Sequence, residues 1–176
     1  MRSSTFFRSA TLFAIIAVAF AANICAYTSR DCIGSCGCCT NTAEGSCCYW
    51  PSNSSYGWSV RFSNMPSTPY WLGLTYGDFC WTQTSGAGSS SGSVCSSVYP
   101  APNRINWVSA NWDADYRTRR SVDVRGDDCV VPDTIGFTNE DGKEHLVKVP
   151  EGKFEDIANL IETLNFEALL KFERAK

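Results

Sequence analysis

The sequence predicts an α+β fold: a small disulfide-rich antiparallel β domain, sandwich or barrel-like, followed by a β-hairpin and a C-terminal amphipathic helix. Three observations predict it. Six cysteines crowd into the seventeen residues from Cys32 to Cys48. Residues between Tyr56 and Trp112 alternate with period two between turn signals, and the last third switches to helical spacing.

A leader comes first. Arg2 and Arg8 supply a positive start, and Ala10 to Ala22 supply an apolar run containing Leu12, Phe13, Ile15, Ile16, Val18 and Phe20. A run of about thirteen residues is too short to cross a bilayer, which takes roughly 20. The expectation is a signal peptide over 1–26, a secreted, extracellular protein and no transmembrane segment. Ala19-Phe20-Ala21 and Ile24-Cys25-Ala26 both fit the small-x-small cleavage pattern, and the second lies at the better distance. The choice sets cysteine parity: cutting after Ala21 keeps all ten cysteines, while cutting after Ala26 removes Cys25 and leaves nine. An odd count implies a leftover thiol or a disulfide-linked dimer.

The cysteines expected in disulfides are Cys32, Cys36, Cys38, Cys39, Cys47, Cys48, Cys80, Cys95 and Cys129. Adjacent Cα atoms sit about 3.8 Å apart, below the roughly 4.4–6.8 Å of a relaxed disulfide, so neither Cys38-Cys39 nor Cys47-Cys48 closes on itself. The economical arrangement ties the 36–39 segment to Cys47 or Cys48 and sends the rest of the cluster to Cys80, Cys95 and Cys129. Full connectivity is not readable, since eight cysteines allow on the order of a hundred pairings. A metal-thiolate site is the rival reading, but zinc sites show separated Cys/His pairs and belong to reducing compartments. No metal and no cofactor is expected.

Composition divides the rest. All six tryptophans lie between 50 and 112, every lysine lies from Lys143 onward, and Glu44 is the one glutamate before position 139. This places a cysteine- and tryptophan-rich β domain at 27–130 and a hairpin-plus-helix appendage at 131–176. In the first part Tyr56, Trp58, Val60 and Phe62 face one way, and Tyr70, Leu72, Leu74 and Tyr76 repeat the pattern. Further strands are expected at 79–82, 94–99 and 105–112, and around Val122 and Val124, with the Ser/Gly run 85–93 as a flexible loop. In the second part Thr134 to Thr138 and Glu144 to Val149 flank Asn139-Glu140-Asp141-Gly142, a good hairpin turn. Phe154, Ile157, Ile161, Leu164 and Ala168 then recur at helical spacing, with Leu160, Leu169 and Leu170 widening the stripe and a break near Asn165. The stripe is expected to cover the β part of the same chain.

Few residues carry chemistry. The one histidine, His145, reads as an exposed strand residue, and with no Gly-x-Ser-x-Gly elbow a serine triad has little to stand on. Asp113 and Asp115 are the candidate catalytic carboxylates, because an Asp-x-Asp pair approaches the roughly 5–9.5 Å separation that glycoside hydrolysis uses. With Asp127 and Asp128 they would be the candidate calcium ligands, though no EF-hand loop is complete. A net charge of −3 leaves no basic footprint for nucleic acid.

Aromatic rings offer a rigid, polar-tipped surface for a glycan or a protein partner. Trp71, Trp81 and Trp112 interrupt the apolar alternation or adjoin the acidic pair, and are the candidates for exposure and binding. Trp58, Tyr70, Tyr76 and Trp107 read as core. Asn53-Ser54-Ser55 is an N-glycosylation sequon, and Arg117-Thr118-Arg119-Arg120 resembles sites cut by proprotein proteases. In composition the chain is similar to the broad class of small secreted cysteine-rich proteins that includes microbial effectors and toxins. The expected function is therefore a non-catalytic, disulfide-stabilised extracellular binding protein of effector or toxin-like type. The alternative is a carbohydrate-binding module or a secreted hydrolase using the Asp pair.

Overall fold

The structure, a computed structural model, describes residues 21–50, 55–66, 70–99, 105–114, 129–138, 142–163 and 165–172. In chain order these form β1 (Ala21–Tyr27), a 3-10 turn (Arg30–Cys32), β2 (Cys36–Ala43), β3 (Cys48–Tyr49), β4 (Ser59–Ser63), β5 (Trp71–Tyr76) and β6 (Gln83–Ser89). There follow β7 (Ser93–Ser97), β8 (Ser109–Asp113), β9 (Thr134–Thr138), β10 (Glu144–Lys148), α1 (Phe154–Glu162) and the one-turn α2 (Phe166–Leu169). The strands make two antiparallel sheets, one of six strands in the order β10-β9-β2-β1-β4-β7 and one of four in the order β3-β8-β5-β6.

Strand alternation sends one set of side chains from each sheet into a shared core. From the larger sheet come Ala22, Ile24, Ala26, Cys39, Val60, Phe62, Ile135, Phe137 and Val147; from the smaller come Trp71, Ala110 and Trp112. The Phe62 and Trp71 rings meet at 6.1 Å between centroids. Glycine makes that contact workable, since a Cβ on Gly73 would stand 2.5 Å from the Phe62 ring.

β1 is the middle of the larger sheet. It pairs with β2 on one side and β4 on the other, and Ala22, Ile24 and Ala26 are fully buried. The leader boundary expected at Ala26 therefore falls inside a strand with a neighbour on each side. The hairpin extends the same sheet, because β9 pairs with β2 in the register Cys36↔Gly136 and Cys38↔Thr134.

The helical stripe covers the β part of the chain. Phe154, Ile157, Ala158 and Ile161 are buried on α1, and the Phe154 ring fits over Gly37, where a Cβ would stand 2.9 Å away. The helix breaks where expected, with Asn165 donating its N–H to the Leu160 carbonyl and accepting the Ala168 N–H on its side chain. Of Ala168, Leu169 and Leu170, Leu169 alone is fully buried, Ala168 being half-buried and Leu170 exposed.

Four disulfides join Cys25–Cys38, Cys32–Cys95, Cys39–Cys48 and Cys47–Cys80. Neither doublet closes on itself: its members go to different partners, as the Cα spacing requires. Seven of the nine expected cysteines take part, together with Cys25, which the preferred cleavage would have removed.

Four sequence readings are corrected. The strand expected at 79–82 is part of the loop between β5 and β6, which Cys80 and Asp78 tie down. The Ser/Gly run expected as a loop holds β6, a turn and the start of β7, because its small residues let it lie flat against β5: a Cβ on Gly88 would stand 2.0 Å from the Tyr70 hydroxyl. On β5 Leu74 and Tyr76 are buried as expected, but Trp71 is directed into the shared core and Tyr70 is 58% exposed, since register and not side-chain size decides which residues are covered. His145 is buried, stacked on Phe137 at 5.3 Å, because the register of β10 on β9 turns it to the core face beside Val147. The expected strand around Val122 and Val124 lies outside the described residues.

Candidate functional site

The structure fixes a different aromatic surface from the one the sequence suggests. Trp71 and Trp112 are wholly buried, each spending its indole N–H on a backbone carbonyl, Ser91 at 2.8 Å and Thr42 at 3.0 Å. Their expected exposure is corrected: the period-two break around Trp71 and the acidic neighbour of Trp112 carry no information about which face meets the other sheet. Trp81 is 57% exposed.

Trp81 sits in the loop 77–82 between β5 and β6, and that loop is tied down at several points. Cys80 is bonded to Cys47 beside β3. Its N–H is shared between the Asp78 carbonyl at 2.9 Å and the hydroxyl of the fully buried Ser109 at 3.0 Å. The Ser109 hydroxyl in turn donates to the Asp78 carbonyl. The Asp78 carboxylate accepts the Trp81 N–H at 2.9 Å and the Thr82 N–H at 3.0 Å. Burial pushes the Asp78 carboxyl up, but the hydrogen bonds from Thr82 and Trp81 outweigh it and hold the carboxyl below its usual range. Cys80 takes a positive φ of 59°, a conformation that a non-glycine residue holds only where its surroundings impose it.

The disulfide also brings β3 against the loop. Tyr49 stacks on Phe79 with ring centroids 4.3 Å apart and an angle of 25°, and Phe79 remains 41% exposed. We take the stacked Tyr49–Phe79 pair and the exposed Trp81, two residues further along the same braced loop, as one candidate aromatic platform. Immediately after it, β6 displays Gln83 and Thr84 to solvent, and its next residue, Ser85, is half-buried. Such a surface can stack on flat apolar faces and hydrogen-bond hydroxyls nearby. Sequence reasoning missed Tyr49 and Phe79. The available signal was Asp78 placed three residues before Trp81, the spacing of a side chain capping a turn.

A concavity of about 1010 Å³ lies on the face of the six-stranded sheet away from the shared core, lined among others by Asn23, Cys25, Cys38, Arg61, Ser63 and Lys148. Arg61 is anchored there, its guanidinium 5.3 Å from the Tyr27 ring centroid and donating to the Cys32 carbonyl at 3.3 Å. Cys36 Sγ lies 3.8 Å from Cys38 Sγ.

The remaining candidates are dispersed. Asp113 ends β8 opposite Leu72 and is half-buried; its expected partner Asp115 lies outside the described residues, as do Asp127, Asp128, Asn53, Arg117, Arg119 and Arg120. Among the described residues, no group of three or more His, Cys, Asp or Glu side chains could hold a metal ion, and no helix is long and apolar enough to cross a membrane.

No curated protein and no solved structure matches the chain. One family model does, ARB_05566_N, described as an N-terminal domain, over residues 23–133, more than half of the 176. Its match begins within β1 and takes in both partners of all four disulfides. On that coverage the chain belongs to the ARB_05566_N family.

Proposed function

We propose that the protein is secreted and works outside the cell as a non-catalytic, disulfide-stabilised binding protein of effector or toxin-like type, and that the Tyr49, Phe79 and Trp81 platform takes a glycan. We read the two sheets as the layers of a sandwich that serves as its rigid scaffold. Disulfides persist in oxidising compartments, and four in a chain of this size favour an extracellular one. The carrying observation is that Trp81 is held exposed on a loop braced by Cys47–Cys80, Asp78 and Ser109. A large apolar ring in water is unfavourable, and bracing means that little conformational entropy is lost when a ligand covers it.

A glycan suits the platform better than a protein groove would. Sugar rings have one apolar face to stack on and hydroxyls at the rim, and exposed Gln83 and Thr84 stand next to Trp81 along the chain. Glycosylation at Asn53 and processing at Arg117, Arg119 and Arg120 belong to the same secreted reading. The test is retention of the secreted protein on insoluble cellulose, chitin and β-1,3-glucan. Retention on one of them is expected, and passage through all three refutes the glycan.

A further inference from the structure

The structure points to where the leader is removed. We propose that the mature chain begins at Ala22, after hydrolysis of the Ala21–Ala22 peptide bond, so that Ala22–Ala26 stay with the protein. The inference rests on the secreted reading and sharpens it. The reaction consumes one water: Ala21 leaves with the carboxylate, Ala22 gains the α-amine, and a signal endopeptidase of the secretory membrane supplies the catalyst.

Two sites fit the small-x-small pattern, and they have opposite structural consequences. Cutting after Ala26 removes all of β1 except Tyr27. β2 and β4, which both pair with β1 and not with each other, would then face an empty slot in the middle of the sheet. Their backbone N–H and C=O groups along that slot would lose their partners, and buried backbone groups are almost always paired. The core would lose the fully buried side chains of Ala22, Ile24 and Ala26, and Cys38 would lose the sulfur to which it is bonded. Cutting after Ala21 removes only the first residue of the strand, which is half-buried, and keeps every one of those contacts.

Two observations independent of burial agree. The family match starts at residue 23, so Asn23 to Tyr27, most of β1, lie within the matched region. The disulfide pattern agrees as well, because the Cys25–Cys38 bond needs Cys25, which the cut after Ala21 keeps and the cut after Ala26 removes.

The experiment is secretion of the full chain, leader included, from a eukaryotic host, with intact mass and N-terminal sequencing after reduction and alkylation. Expected are an N-terminus at Ala22 and ten alkylated cysteines. An N-terminus at Tyr27 with nine would overturn the proposal while leaving secretion intact. An uncut chain retained in the cells would instead overturn the secreted reading, and the proposal with it. Ala21→Arg gives a second readout: it is expected to abolish the Ala22 N-terminus, and continued appearance of Tyr27 as the N-terminus would identify the other site.

Discussion

Cys25 is bonded to Cys38 directly across the β1–β2 pair, at a position where the two residues are registered partners. The bond closes a short loop, with a sequence separation of 13, and holds the central strand of the larger sheet to its neighbour. A loop of this length removes about 3 kcal/mol of chain entropy from the unfolded state. The double variant Cys25→Ser/Cys38→Ser, which leaves neither sulfur to re-pair, is expected to lose about 2–4 kcal/mol in denaturant unfolding. A midpoint equal to the wild type's would show that the staple contributes nothing.

Gly57 is expected to be far less replaceable than Gly45, although both have positive φ, 91° and 76°. A Cβ on Gly57 would stand 1.9 Å from the Trp107 carbonyl oxygen, the same oxygen that accepts the Trp50 indole N–H at 2.6 Å, whereas a Cβ on Gly45 meets nothing within 4 Å. Gly45→Ala should cost about 1 kcal/mol for the backbone conformation alone. Gly57→Ala should cost several times more, because the chain must move and the Trp50 bond breaks with it. Thermal melts of the two variants side by side provide the check.

Acid should loosen the aromatic loop before it unfolds the sheets. The Asp78 carboxyl is held below its usual range in the folded protein, so it stabilises the loop at neutral pH. That contribution begins to fall as pH drops toward the ordinary carboxylate value of about 3.9 and is lost as pH passes through the lower folded value. Amide exchange at Trp81 and Thr82, whose N–H groups Asp78 accepts, should speed up in that acid window. Asp78→Ala should show the fast exchange already at neutral pH. Slow exchange in that variant would mean that the Cys47–Cys80 bond alone braces the loop.

A chain cut after Arg120 is expected to remain one particle. Downstream of the cut, Val130 exchanges hydrogen bonds with Cys47 and Tyr49, β9 pairs with β2, and α1 buries Phe154 and Ile157. Upstream lie the partners of all these contacts. Size exclusion of material cut by a kexin-type protease should give a single peak in buffer and two pieces only in denaturant. Separation in buffer would show that the covalent link is needed.

What the sequence made legible follows from how local each signal is. The hairpin of β9 and β10 and the broken helix were readable because turn chemistry and 3.6-residue spacing act within a few residues of one another. The refusal of the cysteine doublets to close was readable from bond lengths alone. The burial of Trp71 and His145 was not, because which side of a strand is covered is chosen by its register against another strand. The Ser/Gly strand β6 was hidden for a related reason: its residues have no strand preference of their own and are held by β5. The platform was half legible, with Trp81 visible as a candidate while Tyr49 and Phe79 come together only through the Cys47–Cys80 bond.

The most direct test of the central claim is the depletion of wild type, Trp81→Ala and Phe79→Ala from solution by the insoluble polysaccharide that retains the wild type. A loss of affinity of about tenfold or more is expected in Trp81→Ala, equivalent to about 1.4 kcal/mol, with the fold and melting temperature preserved because the ring is exposed. Phe79→Ala should lose less, since that ring is shared with Tyr49. Unchanged binding in a folded Trp81→Ala protein would show that the ligand is held by another surface.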